Sequence, residues 1–218
     1  MRDAEIHAVL RLVKRECRKW EEPIVGAVAK ESQDPFQILI ACVLSLRTKD
    51  QTTAAASQRL FALARDPTAM LKLPLHRLEQ AIYPVGFYRN KAKHIHLISQ
   101  KLLSEFHGRV PDTIEDLLTL KGVGRKTANL VVTVGFQKSG ICVDVHVHRI
   151  CNRWGYIRTK NPEQTEQVLR QKLPRRYWIT FNDWLVPFGQ NLCKPVSPYC
   201  SLCPVQRFCQ RVGVRTSR

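Results

Sequence analysis

Apolar residues recur along this chain at intervals of three and four, the spacing that gathers them on one face of an α-helix. Over residues 3–20, Ile6, Val9, Leu10, Val13 and Cys17 share such a face, with charged side chains opposite. Residues 36–46, Phe-Gln-Ile-Leu-Ile-Ala-Cys-Val-Leu-Ser-Leu, are almost continuously apolar and predict a buried helix. An amphipathic segment follows at about 50–64 and stops before Asp66-Pro67, where Asp caps the next helix and Pro takes its first turn. Residues 88–106 place Ile95, Leu97, Ile98, Leu102 and Leu103 on one face. Asp112-Thr-Ile-Glu115 has the form of a capping box opening a short helix through Leu120, and Asn161-Pro162 repeats the cap and first-turn pair. Gly140-Ile-Cys-Val-Asp-Val145 reads as a short strand or, equally, as a buried loop entering a helix. The pattern predicts an all-α protein with short connections and a cysteine-rich tail.

Composition narrows what such a protein does. At 218 residues and 44% hydrophobic content, the chain can build one large core or two smaller ones. No apolar run approaches the length of a bilayer span, so no membrane partner is expected. Met1-Arg-Asp-Ala-Glu does not open into a signal-peptide core, which points to an intracellular, cytoplasmic protein. Lys and Arg number 35 against 18 Asp and Glu, a net charge of +17. Such a surplus attracts polyanions and releases their counterions on binding. Because the basic residues are spread along the chain, nucleic acid is favoured over an anionic membrane surface, which needs a concentrated basic helix.

An intracellular setting also argues against disulfides among the eight cysteines. Cys17, Cys42, Cys142 and Cys151 sit among apolar neighbours and read as small core side chains. The other four, Cys193, Cys200, Cys203 and Cys209, crowd into seventeen residues. Four thiolates so close hold either zinc or an iron–sulfur cluster. Zinc modules commonly use two close ligand pairs, whereas only Cys200 and Cys203 form one here. With Pro195, Pro198 and Pro204 among them, the segment is a loop that needs a staple.

A second cluster of chemistry lies at Leu120-Lys-Gly-Val-Gly-Arg-Lys126-Thr-Ala128, between two predicted helices. Gly122 and Gly124, flanking Val123, permit a tight turn and leave the N–H groups of a helix start facing outward. Such a start grips phosphate without reading sequence; a plain helical hairpin accounts for the same glycines. Lys126 falls in the first turn, where the dipole disfavours a cation and so favours the neutral, nucleophilic amine. Taken singly it reads as one more surface lysine on a basic chain.

Three motifs in order resolve these alternatives. Leu120-Lys-Gly-Val-Gly-Arg-Lys-Thr-Ala-Asn129, then Val143-Asp-Val-His-Val-His-Arg-Ile-Cys-Asn-Arg153, then C-x6-C-x2-C-x5-C resemble the endonuclease III family. Those proteins are helix-hairpin-helix DNA glycosylases with a C-terminal iron–sulfur cluster, and the resemblance runs from about residue 35 to about 210. It implies two helical lobes: a central domain over 28–138, and a cluster domain formed by 1–27 with 139–218. Lys126 matches the family's nucleophile and Asp144, eighteen residues on, its carboxylate, the two facing each other at the mouth of a DNA-binding cleft. Without Lys126 upstream, Asp144 reads as a helix-capping aspartate. Cys193, Cys200, Cys203 and Cys209 match the ligands of a [4Fe–4S] cluster, whose loop presents Lys194, Arg207 and Arg211 to phosphates.

The implied partner is double-stranded DNA carrying damaged bases or abasic sites, bound by a monomer. The implied reaction is removal of oxidised or ring-saturated pyrimidines such as thymine glycol, followed by strand nicking through a lysine Schiff base. Relatives without lyase activity have another residue at the lysine position and a catalytic Glu where this chain has Cys42. Two positions depart from the family. Arg47, in Leu44-Ser-Leu-Arg-Thr-Lys-Asp50, stands where glutamine usually fills the gap left by a flipped base; Arg can fill the gap, pair with the orphaned base or bind phosphate. Phe87, in Ile82-Tyr-Pro-Val-Gly-Phe-Tyr88, stands where a Leu-like wedge is common, and is either an aromatic wedge or a core side chain. Tyr88 stacks near that wedge or is partly buried. His146 can approach the DNA backbone or orient the acidic loop, and His148 packs or caps. The rivals are a uracil or mismatched-thymine glycosylase, and a non-catalytic DNA-binding or redox module.

Overall fold

A computed structural model describes residues 1–20, 28 and 32–218, which form helices and turns and, among the described residues, no strand. In chain order the described α-helices are α1 (Ile6–Cys17), α2 (Pro35–Ser45), α3 (Asp50–Leu63), α4 (Pro67–Lys72), α5 (Leu75–Ile82), α6 (Tyr88–Glu105), α7 (Ile114–Leu118), α8 (Arg125–Leu130), α9 (Val145–Arg153), α10 (Pro162–Lys172) and α11 (Phe181–Asn191). They fall into two compact units, one spanning Ile24–Gly140 and one combining Met1–Pro23 with Ile141–Arg218. No helix among the described residues is long and apolar enough to cross a membrane.

The unit from Ile24 to Gly140 is built round α2. Asp34 starts that helix by accepting from the Phe36 N–H, and Pro35 occupies its first turn. From Ile38 to Leu44 every side chain is buried, so an almost wholly apolar sequence is what an element enclosed on all sides requires. Helices α3 and α6 pack on it, and α6 is packed in turn by α4 and α5. On α6 the buried stripe is Ala92, Ile95, Ile98 and Leu102. Leu97 and Leu103, expected on that face, are 46% and 37% exposed. They fall outside the stripe because successive residues turn by about 100°.

Side-chain caps set several of the other helix starts. Asp66 accepts from Ala69 N and Asn161 from Gln164 N, as their Pro-containing sequences predict. The expected box at Asp112–Glu115 is displaced by one residue. Thr113 is the cap, accepting from Asp116 N at 3.2 Å and donating to the Asp116 carboxylate at 2.7 Å. Asp112 instead pairs with Lys138 at 2.7 Å, and the helix ends at Leu118 rather than Leu120. The segment 140–145 is not a strand; it enters α9, with Ile141, Cys142 and Val143 buried.

The second unit has its own aromatic core. Trp154, Tyr156, Phe181 and Phe188 are fully buried there, with Ile6, Val9, Leu10 and Val13 of α1. Helix α11 runs through Pro187, a residue that argues against a helix interior because it lacks an N–H and crowds the preceding turn. Burial of Phe181, Leu185 and Phe188 on one side of the same helix offsets that penalty.

Candidate active site

The turn between α7 and α8 sets the position of Lys126. Gly122 has φ +81°, in the left-handed region, and a Cβ built on it would clash with Nδ1 of His94 on α6. The glycine is thus required twice, by backbone conformation and by close approach. Val123 is buried, and its N–H donates to Leu120 O at 3.2 Å, so this residue anchors the turn instead of offering a donor outward. Gly124 caps α8 from an extended conformation, with open space around its α-carbon. Gly122→Ala is expected to lower stability by about 1–3 kcal/mol through left-handed strain, before the clash with His94 is counted. Thermal unfolding of the purified variant checks this, and a midpoint equal to the parent's would contradict it.

Lys126 lies exposed in the first turn of α8, beyond that glycine turn. It lies close enough to Cys42 for its charge to act on that thiol, although burial prevails and pushes Cys42 up to about 12. Beyond Leu130 the helix widens into a π-turn over Val131–Gly135, where the Thr133 hydroxyl donates back to Asn129 O at 2.8 Å. Such side-chain bonding to the preceding turn loosens helical geometry.

Asp144 belongs to the other unit. It is 7% exposed and caps α9, its Oδ1 accepting from the N–H groups of His146 and Val147 at 2.9 Å each. The capping reading of Asp144 is therefore realised. His146 Nδ1 lies 3.0 Å from an Arg149 guanidinium nitrogen, packed against Gly189, where a Cβ would clash with His146. His148 packs as expected, its Nδ1 2.8 Å from Thr165 Oγ1, and burial lowers its pKa.

Arg47 and Phe87 come together on two loops of the first unit. The Arg47 guanidinium lies 5.5 Å from the Phe87 ring centroid, a cation–π distance. Both have left-handed backbones, φ +55° and +59°. Phe87 is 60% exposed, which excludes the core reading of this residue. Tyr88 is half-buried, in edge contact with Tyr83 at 5.4 Å.

All four tail cysteines line one open pocket, with Trp154 and Phe188 among its walls. They are free thiols, and burial pushes Cys203 up to about 12 and raises Cys209. Among the described residues no three candidate ligands are close enough to share one metal ion. Four thiols lining one pocket are a donor set that an iron–sulfur cluster can use. Lys194 lies over the Tyr199 ring at 5.2 Å, and Arg207 over Phe208 at 4.7 Å.

Several residues with roles here carried no sequence signal. Arg149 donates to Gly189 O and Cys193 O, and buried Arg153 donates to Lys194 O and Pro195 O, so α9 holds the start of the cysteine loop. On a chain with 35 basic residues nothing local separates these two arginines, or buried Lys91, from solvated ones.

Residues 40–175 match the HhH-GPD superfamily base excision DNA repair protein model. Endonuclease III of Thermotoga maritima is 46% identical over 177 residues, 81% of this chain and 83% of that protein. The chain also matches endonuclease III homolog 2, chloroplastic, of Arabidopsis thaliana at 40% identity, spanning 84% of this chain and half of the plant protein. Among solved structures, a trapped endonuclease III–DNA covalent intermediate superposes with a TM-score of 0.84 at 32% identity, covering 97% of each chain. This chain belongs to the endonuclease III family, DNA glycosylases with abasic-site lyase activity.

Proposed function

We propose that the protein excises oxidised or ring-saturated pyrimidines, thymine glycol among them, from double-stranded DNA and then nicks the strand, with Lys126 as nucleophile and Asp144 as its carboxylate partner. The observation that carries the reading is Lys126 itself, an exposed lysine opening a helix immediately beyond a glycine turn, at the motif position of the family's nucleophile. The 32% identity to a protein captured in a covalent DNA intermediate supports it.

The chemistry follows from these groups. The target nucleotide leaves the stack, because C1′ and the base are inaccessible inside a duplex. Asp144, held in one orientation by two backbone N–H groups, stabilises the cation-like sugar as the glycosidic bond loosens. The neutral Lys126 amine adds to C1′, the base departs with the bonding electrons and takes up a proton, and loss of the amine proton with ring opening leaves an iminium. That electron sink acidifies C2′–H. Removal of this proton expels the 3′ phosphate by β-elimination, and water then releases the lysine.

Arg47 and Phe87 enter the duplex at the vacated position, and Gly122, Gly124, His146 and Lys194 each contact the DNA backbone. Cys193, Cys200, Cys203 and Cys209 hold a [4Fe–4S] cluster, which staples the tail when bound and supplies nothing to bond cleavage. The protein acts as a monomer in the intracellular compartment that holds the DNA. A panel of duplexes bearing thymine glycol, uracil or a G·T mismatch tests the substrate assignment. Excision and nicking of the thymine glycol strand, with the other two left intact, is expected. Faster release of uracil or mismatched thymine would replace the assignment.

A further inference from the structure

Lys91 is the buried cation that the chemistry above does not use. It sits on α6 at 6% exposure, and its ammonium donates to Leu44 O at 2.8 Å, Leu46 O at 2.5 Å and Thr48 Oγ1 at 3.1 Å. Three donors thus meet three acceptors, which is the full capacity of a lysine. The two carbonyls belong to the C-terminal end of α2, where helix ends leave carbonyls unpaired and the dipole favours a cation. Burial nonetheless pulls the group down to about 8, so its position is held by geometry against a desolvation penalty.

What the lysine grips is the loop that carries Arg47. The Thr48 hydroxyl, besides accepting from Lys91, accepts from the Gly86 N–H at 3.2 Å and donates to Leu46 O at 3.3 Å. Gly86 belongs to the loop that carries Phe87, and it packs so closely that a Cβ there would lie 2.7 Å from Arg47 O. The start of that second loop is held separately, by Arg59 donating to Ala81 O and Tyr83 O. Arg47 and Phe87 are each strained into left-handed backbone, a conformation that persists only where surrounding contacts over-determine it.

We propose that Lys91 is a positioning residue which, through Leu44, Leu46 and Thr48, locks the Arg47 and Phe87 loops into one wedge for extruding the target nucleotide. This rests on the reading of Arg47 and Phe87 as residues that enter the duplex. The Lys91 backbone N–H donates to Phe87 O at 3.0 Å in the first turn of α6, but its ammonium bonds Leu44, Leu46 and Thr48 instead of either wedge residue, and it is needed only when a base must be forced out of a stack. Single-stranded abasic DNA presents its sugar without that step, so it separates positioning from chemistry.

The test uses cluster-loaded protein with Lys91→Met and, as a gentler lesion that keeps the buried lysine, Thr48→Val. Three readouts are needed: kcat/KM for nicking duplex and single-stranded abasic DNA, fluorescence of 2-aminopurine beside an abasic analogue in a duplex, and the thermal midpoint. Duplex kcat/KM should fall by about 10- to 100-fold for Lys91→Met, the scale of a displacement on the order of 1 Å in a positioning element. Thr48→Val should fall in the same direction by less. Both should lose the 2-aminopurine rise while nicking single-stranded DNA at the parent's rate. Equal losses on the two substrates, or a full fluorescence rise in both variants, would overturn the proposal. Arg47→Ala and Phe87→Ala serve as controls. If they too keep the full rise, the wedge reading fails and the proposal with it; if they lose it while Lys91→Met and Thr48→Val do not, only the role of Lys91 falls.

Discussion

Replacing Lys126 with Gln abolishes borohydride trapping on abasic-site DNA and leaves the protein folded and able to bind the same duplex. Gln has close to the helix propensity of Lys, and the side chain is exposed in the first turn of α8, so neither helix nor core is disturbed. One positive charge is lost from a surface on which Lys and Arg outnumber Asp and Glu by 17. Binding by several phosphate contacts therefore weakens by no more than roughly threefold and stays steeply salt-dependent. An amide nitrogen cannot form the iminium, so the covalent product disappears instead of slowing. Trapping by gel shift, beside a titration of affinity over a range of salt, reads both halves. Affinity lost in step with trapping would make Lys126 a binding residue only.

Asp144→Asn should separate the two roles its carboxylate plays. Asn is as good an N-cap as Asp, so the bonds to His146 N and Val147 N survive and the thermal midpoint should hardly move. The charge opposing a cation-like sugar is lost, and base excision should slow by about 10²- to 10³-fold, the usual scale for removing one preorganised electrostatic group. Asp144→Ala should lose the same activity and, in addition, about 1 kcal/mol of stability with the cap. Single-turnover excision from a thymine glycol duplex, with melting curves, gives the comparison. Near-parental excision by Asp144→Asn, with loss confined to Asp144→Ala, would reduce Asp144 to a cap.

Much of the fold was legible along the chain because its helices announce themselves locally. The Asp-Pro and Asn-Pro pairs cap where they stand, since a cap needs only neighbouring N–H groups. The apolar run of α2 could only be satisfied by burial on every side. Expectation and structure differ where one local pattern allows two registers. Asp112 and Thr113 are both competent caps, and a distant residue, Lys138, engages the first and leaves the second to start α7. Leu97 and Leu103 looked like core by residue type, and only the placement of the neighbouring helices set which stripe of α6 is covered.

The candidate site divides along the same line. The sequence by itself determined the chemistry-bearing groups: the glycine turn leading to Lys126, Asp144 at a helix start, four cysteines at ligand spacing, and a basic charge suited to DNA. Each depends on residue type and short spacing, which a linear pattern records. Tertiary structure alone decided which charges are buried and which loops meet. Lys91 lies in a polar run, Arg-Asn-Lys-Ala-Lys-His, with nothing local to mark it, yet it spans more than forty residues to close the end of α2. Arg47 and Phe87 are forty residues apart and become one feature only because Thr48 and Gly86 bring their loops together. The reason is physical: a hydrogen bond across the fold depends on where separate helices pack, and the cost of burying a cation is met only by acceptors that packing delivers.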